Sequence, residues 1–329
     1  MTEKNPNHQD IYLGLDIGGT KCSVVAGDAD FTIHRKKTFD TRTERGYKAV
    51  ISELQQNMRS LLGENESWNL KRIGISCGGP LDSKSGTINS PPNLPGWDGV
   101  PITRIFSEEF GVETALQNDA NACALAEWLM GAGKGTSNMI FLTFGTGMGG
   151  GLIINGRLYS GTNDLGGEVG HIRLAKSGPV GFGKAGSFEG FCSGGGIARM
   201  AKSIVTGKLK NKQPVGFCPS PEMISGIDAK KIFTAARAND PVAVEIIGIS
   251  ADYLGQGLAI LIDILNPECI VIGSIYARNE AILKPLIEKV LQEEAIPDSL
   301  KVCRIVPARL GESIGDYAAL CVAIYEDKF

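Results

Sequence analysis

Apolar and polar positions divide the chain into short strand-like runs closed by glycine and a few longer stretches with helical period. Ile11-Tyr-Leu-Gly-Leu-Asp-Ile-Gly-Gly-Thr-Lys21 reads as a strand entering a glycine turn, residues 22–26 as the returning strand, and residues 31–39 as a third. Val50, Ile51, Leu54, Met58, Leu61 and Leu62 recur close to every 3.6 residues, which predicts an amphipathic helix over 47–62. Residues 72–77 read as a strand stopped by Gly78-Gly79-Pro80, and 121–130 as an alanine-rich helix. The opening pattern then returns over 139–156, again strand, glycine turn and strand, with Asn155-Gly156 as a hairpin turn. A long helix is expected over 241–265, with Asp240 as N-cap and Pro241 at its first position. Residues 268–273 form a further strand ending in glycine, and 313–327 a helix with an Ala/Leu/Val face. The stretch 207–226 has no clear period and reads as loop. Strands alternating with helices predict an α/β fold.

Length and composition narrow the picture. A chain of 329 residues is long for one ordinary core. The two strand–glycine–strand units suggest two related lobes, a smaller one from 1–118 plus 310–329 and a larger one from 119–309, with the chemistry in a cleft. Net charge is −3 with no basic block, which argues against nucleic acid or a membrane surface as partner. The first ten residues are polar, unlike a signal peptide, and no unbroken apolar run approaches the ~18–20 residues that cross a bilayer. Eight scattered cysteines without a CxxC pair read as buried, reduced thiols, so a cytoplasmic location is expected.

The candidate chemistry lies in the glycine turns. In Asp16-Ile17-Gly18-Gly19-Thr20-Lys21, glycines let backbone N–H groups approach a phosphate, Thr20 adds a hydroxyl, and Asp16 is placed to hold Mg²⁺ directly or through water. The bland alternative is a tight hairpin with two glycines at positive φ. The second turn, Gly145-Thr146-Gly147-Met148-Gly149-Gly150-Gly151, also follows an apolar strand, and a pair of such turns can grip a triphosphate. Neither is a Walker A loop or a Rossmann fingerprint, because GxxxxGK[ST] is absent and each turn leads into a strand. Asn118-Asp119 before an alanine-rich helix suits an N-cap as well as a catalytic base.

Five segments in order carry a family resemblance: Leu15 to Lys21, Asn93-Leu-Pro-Gly-Trp97, Asn118-Asp-Ala-Asn121, Gly145 to Gly151, and Gly166-Gly-Glu-Val-Gly-His171. Over nearly its whole length the chain resembles the ROK family (repressors, open reading frames and kinases), which has the two-lobed hexokinase/actin-like ATPase fold, a ribonuclease H-like architecture. That resemblance implies ATP-dependent phosphorylation of a hexose, glucose-like and at O6, with Mg²⁺ as cofactor, Asp119 as the base and Asn118 on a sugar hydroxyl. It further implies sugar contacts from Gly79, Asn93, Glu168, His171 and Glu189. Asp16, Gly18, Gly19, Thr20, Lys21, Gly145, Thr146 and Gly147 would take the phosphates, and Gly273 would edge the adenosine, where Ser274 replaces a more usual second glycine. Family members are often homodimers.

One departure concerns metal. The family usually carries a Cys-x-Cys-Gly-x-x-Gly-Cys loop that closes a zinc site with its histidine; here 178–189 contains no cysteine, so no structural zinc is expected. What orders that loop instead is not visible in the sequence. Two alternatives follow from the same resemblance: an N-acetylmannosamine or N-acetylglucosamine kinase, and a non-catalytic sugar-binding regulator. The phosphate motif opens by Leu13, which leaves no room for the helix-turn-helix of the family's repressors.

Overall fold

The computed structural model describes residues 8–328. Two compact units divide them: the first holds residues up to Gly135, Gly151–Gly166 and those from Arg309, and the second holds Thr136–Gly150 and Gly167–Ala308.

The first unit opens with an antiparallel meander of β1 (Gln9–Ile17), β2 (Lys21–Gly27) and β3 (Ile33–Asp40). Helix α1 (Tyr47–Gly63) leads to β4 (Trp68–Cys77), which lies parallel to β1. A small hairpin of β5 (Leu81–Asp82) and β6 (Thr87–Ile88) follows. Helix α2 (Ile102–Phe110) then precedes β7 (Glu113–Asn118), parallel to β4. The sheet order is β3-β2-β1-β4-β7. Strand β1 is apolar on both faces because both are covered. Leu13 and Leu15 join the core that takes in Val50, Leu54 and Met58 of α1, while Tyr12 joins the C-terminal helix. The apolar period over 47–62 therefore forms the expected helix.

Helix α3 (Asp119–Leu129) starts where β7 stops. Strand β8 (Met139–Leu142) belongs to the second unit. The hairpin of β9 (Gly150–Ile154) and β10 (Arg157–Tyr159) turns at Asn155 and Gly156, with φ of 52° and 70°, the left-handed pair that a two-residue hairpin requires. A second small hairpin, β11 (Val180–Gly181) and β12 (Lys184–Ala185), precedes α4 (Phe188–Cys192) and α5 (Gly194–Lys210). Helices α6 (Ala229–Arg237) and α7 (Pro241–Leu265) follow, with Asp240 Oδ1 accepting the N–H groups of Val242 and Ala243 at 3.0 Å each. Strand β13 (Cys269–Ile272), α8 (Ser274–Glu294), α9 (Pro297–Val302) and β14 (Arg304–Pro307) lead to α10 (Ile314–Lys328). In the second unit β13 lies between β8 and β14, all parallel.

Three readings change. The expected lobe boundary at 118/119 falls elsewhere in the compact units: α3 packs on α10 and β4 and stays with the first unit, and the hairpin after Gly150 stays with it too. The stretch 207–226 holds the last turn of α5 and a 3₁₀ turn at Pro221–Gly226. Helix α7 is long and apolar enough to cross a membrane, yet most of it lies inside the protein, where Ile246, Leu254 and Leu258 are core residues.

Candidate active site

In the first unit the strand register brings the candidates together. Ile17 pairs with Cys77 and Cys77 with Asn118, so the three parallel strands end level with one another. Their exits carry the Gly18-Gly19 turn, the Gly78-Gly79 loop and Asn118-Asp119, and carboxyl ends of strands are where α/β sheets present ligands. Neither Gly18 nor Gly19 is among the glycines with positive φ, so handedness does not call for them. Close approach does: a Cβ on Gly19 would run into Asn93 O, and one on Gly79 would sit 3.2 Å from Asn118 Nδ2. Asn93 is held in the same place, since a Cβ on Gly78 would meet its Oδ1 at 3.3 Å. The first turn is closed by Gly18 N–H donating to Lys21 O at 3.1 Å and by Thr41 Oγ1 donating to Gly18 O at 2.6 Å. Thr20 and Lys21 are exposed.

Asn118 is the N-cap of α3. Its Oδ1 accepts Ala120 N–H at 2.9 Å, which leaves the amide nitrogen to face the Gly79 loop. The cap and the ligand-binding readings of Asn118-Asp119 are thus compatible. Asp119 Oδ1 also takes Ala120 N–H, at 2.8 Å. Its surface is open to solvent, but protein atoms crowd around it, and that desolvation holds its carboxyl above the ordinary value against the pull of the amide. Asp16 is pushed up to about 6, first by burial and then by the charges of Asp119 and Asp316, with Lys36 and Lys21 opposing. Asp316 accepts a hydrogen bond from Ser23 Oγ at 2.9 Å and pairs with Lys36. Gly315 lies against Asp16: a Cβ there would come within 2.6 Å of Asp16 Oδ2. The first unit therefore concentrates negative charge beside its strand ends.

The second unit gathers the remaining candidates around the other glycine turn. Gly145 N–H donates to Gly147 O at 3.1 Å, and Thr146 stands exposed at the tip. The turn is seated on the start of α5, where Gly194 and Gly195 donate to Gly145 O and Thr146 O at 2.7 and 3.2 Å. Glu189 Oε2 accepts Met148 N–H at 3.1 Å, so one of its oxygens already braces the turn. His171 ends a 3₁₀ turn (Val169–His171) that begins after Glu168, whose O accepts His171 N–H at 3.1 Å. Both side chains are exposed.

The loop over 178–189 has its own staple. Strands β11 and β12 pair, Leu174 and Ala175 N–H both donate to Gly186 O at 2.9 and 3.1 Å, and Arg173 Nη1 reaches Ala185 O at 2.6 Å. Lys184 Nζ donates to His171 O at 2.7 Å, and the exposed ring of Phe182 stands edge-on to the imidazole with centroids 6.2 Å apart. Phe191 stacks on Tyr253 just beyond. Among the described residues no group of three or more His, Cys, Asp or Glu is arranged to hold a metal ion.

Beside the second turn lies a cavity of about 780 Å³, bounded by Thr146, Gly194, Phe233, Arg237, Ile275 and Asn279 among others. Gly273 caps α8 at its rim, and Ser274 has φ of 50°, the left-handed region that favours glycine, which explains why a second glycine is the more usual residue there. Arg237 Nη2 donates to Arg278 O at 3.3 Å and to Asn279 Oδ1, at the kink where Asn279 leaves helical geometry. Phe233, Arg237, Ile275 and Asn279 escaped the sequence reading. They lie on α6 and α8, which carry no motif, and only folding brings them to the turn.

A two-unit α/β chain with paired strand–glycine–strand turns, acidic strand ends in one unit and a cavity beside the turn in the other is the actin-like ATPase fold. The ROK family model matches residues 12–325, and the chain belongs to that family. It is similar to a glucokinase of Thermotoga maritima, 33% identical over 94% of this chain and 96% of that one. Among solved structures it is similar to a ROK hexokinase from Thermus thermophilus (30% identity, TM-score 0.79, 97% of this chain and 99% of that one). A ROK glucokinase from Streptomyces griseus solved with glucose and AMPPNP is also similar (29% identity, TM-score 0.73, 95% and 99% coverage).

Proposed function

We propose that this sugar kinase transfers the γ-phosphoryl group of ATP to O6 of a glucose-like hexose, with Asp119 taking the hydroxyl proton. The observation that carries the reading is the level ending of β1, β4 and β7, which places Asp16, Asn118 and Asp119 side by side with the glycine loops. A carboxylate whose environment raises its proton affinity is a stronger base than a free aspartate. Asn118 Nδ2 and Asn93 offer donors and acceptors to vicinal hydroxyls, while Glu168, His171 and the second oxygen of Glu189 supply the rest. The relatives' glucokinase names and the glucose and AMPPNP in one similar structure support the substrate pair.

On the nucleotide side, Gly145, Thr146 and Gly147 hold phosphates, and the cavity between α6 and α8 takes the base and ribose, with Arg237 bracing its wall. Asp16, Gly18, Gly19, Thr20 and Lys21 act on the phosphates from the first unit. Mg²⁺ fits Asp16: the crowding of Asp16, Asp119 and Asp316 that raises Asp16 is what a divalent cation would relieve. When bound with ATP it neutralises charge on the phosphate oxygens; Asp16 holds its position, and Asp119 remains the proton acceptor. The protein works in the cytoplasm as a homodimer.

A panel of hexoses and N-acetylhexosamines with MgATP, read as ADP formation, tests the substrate. Fastest turnover of glucose is expected; preference for N-acetylmannosamine or N-acetylglucosamine would reassign the sugar, and no turnover of any would favour a regulator. Asp119→Asn should lower kcat by about 10³-fold or more with sugar binding still measurable by fluorescence titration. Activity within tenfold of the parent would remove Asp119 as base.

A further inference from the structure

Helix α3 carries a buried carboxylate that the proposed reaction does not touch directly. Glu127 is 0% exposed, yet main-chain groups hold both its oxygens: Oε2 accepts Ala132 N–H at 2.7 Å and Oε1 accepts Leu310 N–H at 2.9 Å. The positions of these donors matter. The chain leaves the first unit after Gly135 and finally returns to it at Arg309, so one carboxylate pins the backbone beside two of the four crossings between units. The same helix meets the other two. A Cβ on Gly151, the first residue past the second crossing, would lie 2.6 Å from Ala120 O. Gly166, the last residue before the third, donates its N–H to Ser160 O at 2.9 Å, and Ser160 Oγ lies 3.2 Å from Asn121 Nδ2.

We infer that Glu127 is a positioning residue for phosphoryl transfer, clamping the chain beside its first exit from the first unit and its last return to it onto the helix that begins with Asp119, so that the start of α3 is held where the base must act. The inference rests on the kinase reading above. Glu127 lies eight residues, or ~12 Å of helix rise, from Asp119, so it acts through the backbone and not on reacting atoms. A carboxylate suits the task because it accepts on both oxygens and binds amides more strongly than a neutral group. A glutamine would set an NH₂ against one of the two N–H donors. A misplacement of about 1 Å transmitted from a residue far from the chemistry can cost on the order of 10²-fold in rate.

Two variants reach the same bonds from opposite sides. E127Q removes one acceptor at nearly constant size; G131A leaves the carboxylate intact, but its new methyl group overlaps Glu127 Oε2. Each is assayed with MgATP and the hexose that the panel selects, alongside circular dichroism and thermal melting. Sugar affinity is read from tryptophan fluorescence, for which Trp128, next to Glu127 and against Tyr325, is a local reporter. The expected result is a folded protein whose kcat falls at least fivefold and whose sugar Kd moves less than twofold. Parental kcat with only a lower Tm would make Glu127 a structural staple and overturn the inference. If E127Q does not fold, G131A decides by the same criteria. Failure of the kinase reading looks different, because the parent itself would then form no ADP.

Discussion

At the scale of single residues, Asp16 and Asp119 control how the protein responds to acid. Both carboxyls are displaced upward, Asp16 to about 6 by burial and then by the charges of Asp119 and Asp316, and Asp119 by desolvation. A reaction that needs Asp16 charged should lose kcat/KM as pH falls below about 6, approaching about tenfold per unit, which a pH–rate profile over about 4.5–8.5 measures. A flat profile down to pH 5 would contradict it. The stability effect has the opposite sense. Asp16 binds its proton more tightly folded (about 6) than at its ordinary value of 3.8, so the stability linked to that proton is full below 3.8 and is lost as pH rises through 6. Asp16→Asn should therefore melt above the parent at pH 8, by about 1–3 kcal/mol of stability, and show little gain at pH 4. Activity would be sacrificed for that gain.

At the scale of elements, the proposed nucleotide and sugar sites give two features of the second unit different expected effects. Arg237 ties α6 to the kink of α8 at one wall of the cavity. Arg237→Met should raise KM for ATP about tenfold, the loss of a charge-assisted hydrogen bond or two, while KM for sugar stays within twofold. The β11–β12 hairpin bears on the other substrate, since Lys184 anchors the main chain of His171. Lys184→Met should raise KM for sugar by roughly three- to tenfold and leave KM for ATP unchanged, as expected for one lost hydrogen bond. If the two substitutions affected both substrates alike, the division of roles between these walls would be wrong.

At the scale of the whole molecule, the hairpin supplies by main-chain pairing and aromatic packing what a bound ion supplies by coordination. Six of the eight cysteines are buried, and none forms a disulfide. Burial pushes the Cys22 and Cys192 thiols up, as for inert buried cysteines. Elemental analysis should find well below one zinc per chain, and chelator-treated protein should regain full turnover on addition of Mg²⁺ alone. Zinc near one per chain, or a requirement for it, would refute this.

Much of this protein follows from sequence alone. The alternation and period of apolar residues marked β1, β2, α1 and α7, because those patterns report which face of a strand or helix is buried wherever the chain runs next. The two glycine turns and Asn118-Asp119 were legible because dense glycine beside polar side chains has few purposes in a packed chain. Tertiary structure decided the rest. Whether Gly19 served turn geometry or close approach depended on Asn93, which is distant in sequence and approaches it only through the fold. The cavity wall at Phe233 and Arg237, the hairpin that steadies His171, and the grip of Glu127 on Ala132 and Leu310 each join residues that no local pattern connects. Local sequence sets what each segment can bury; which segments meet, and so which side chains share a site, is settled only when those buried faces find one another.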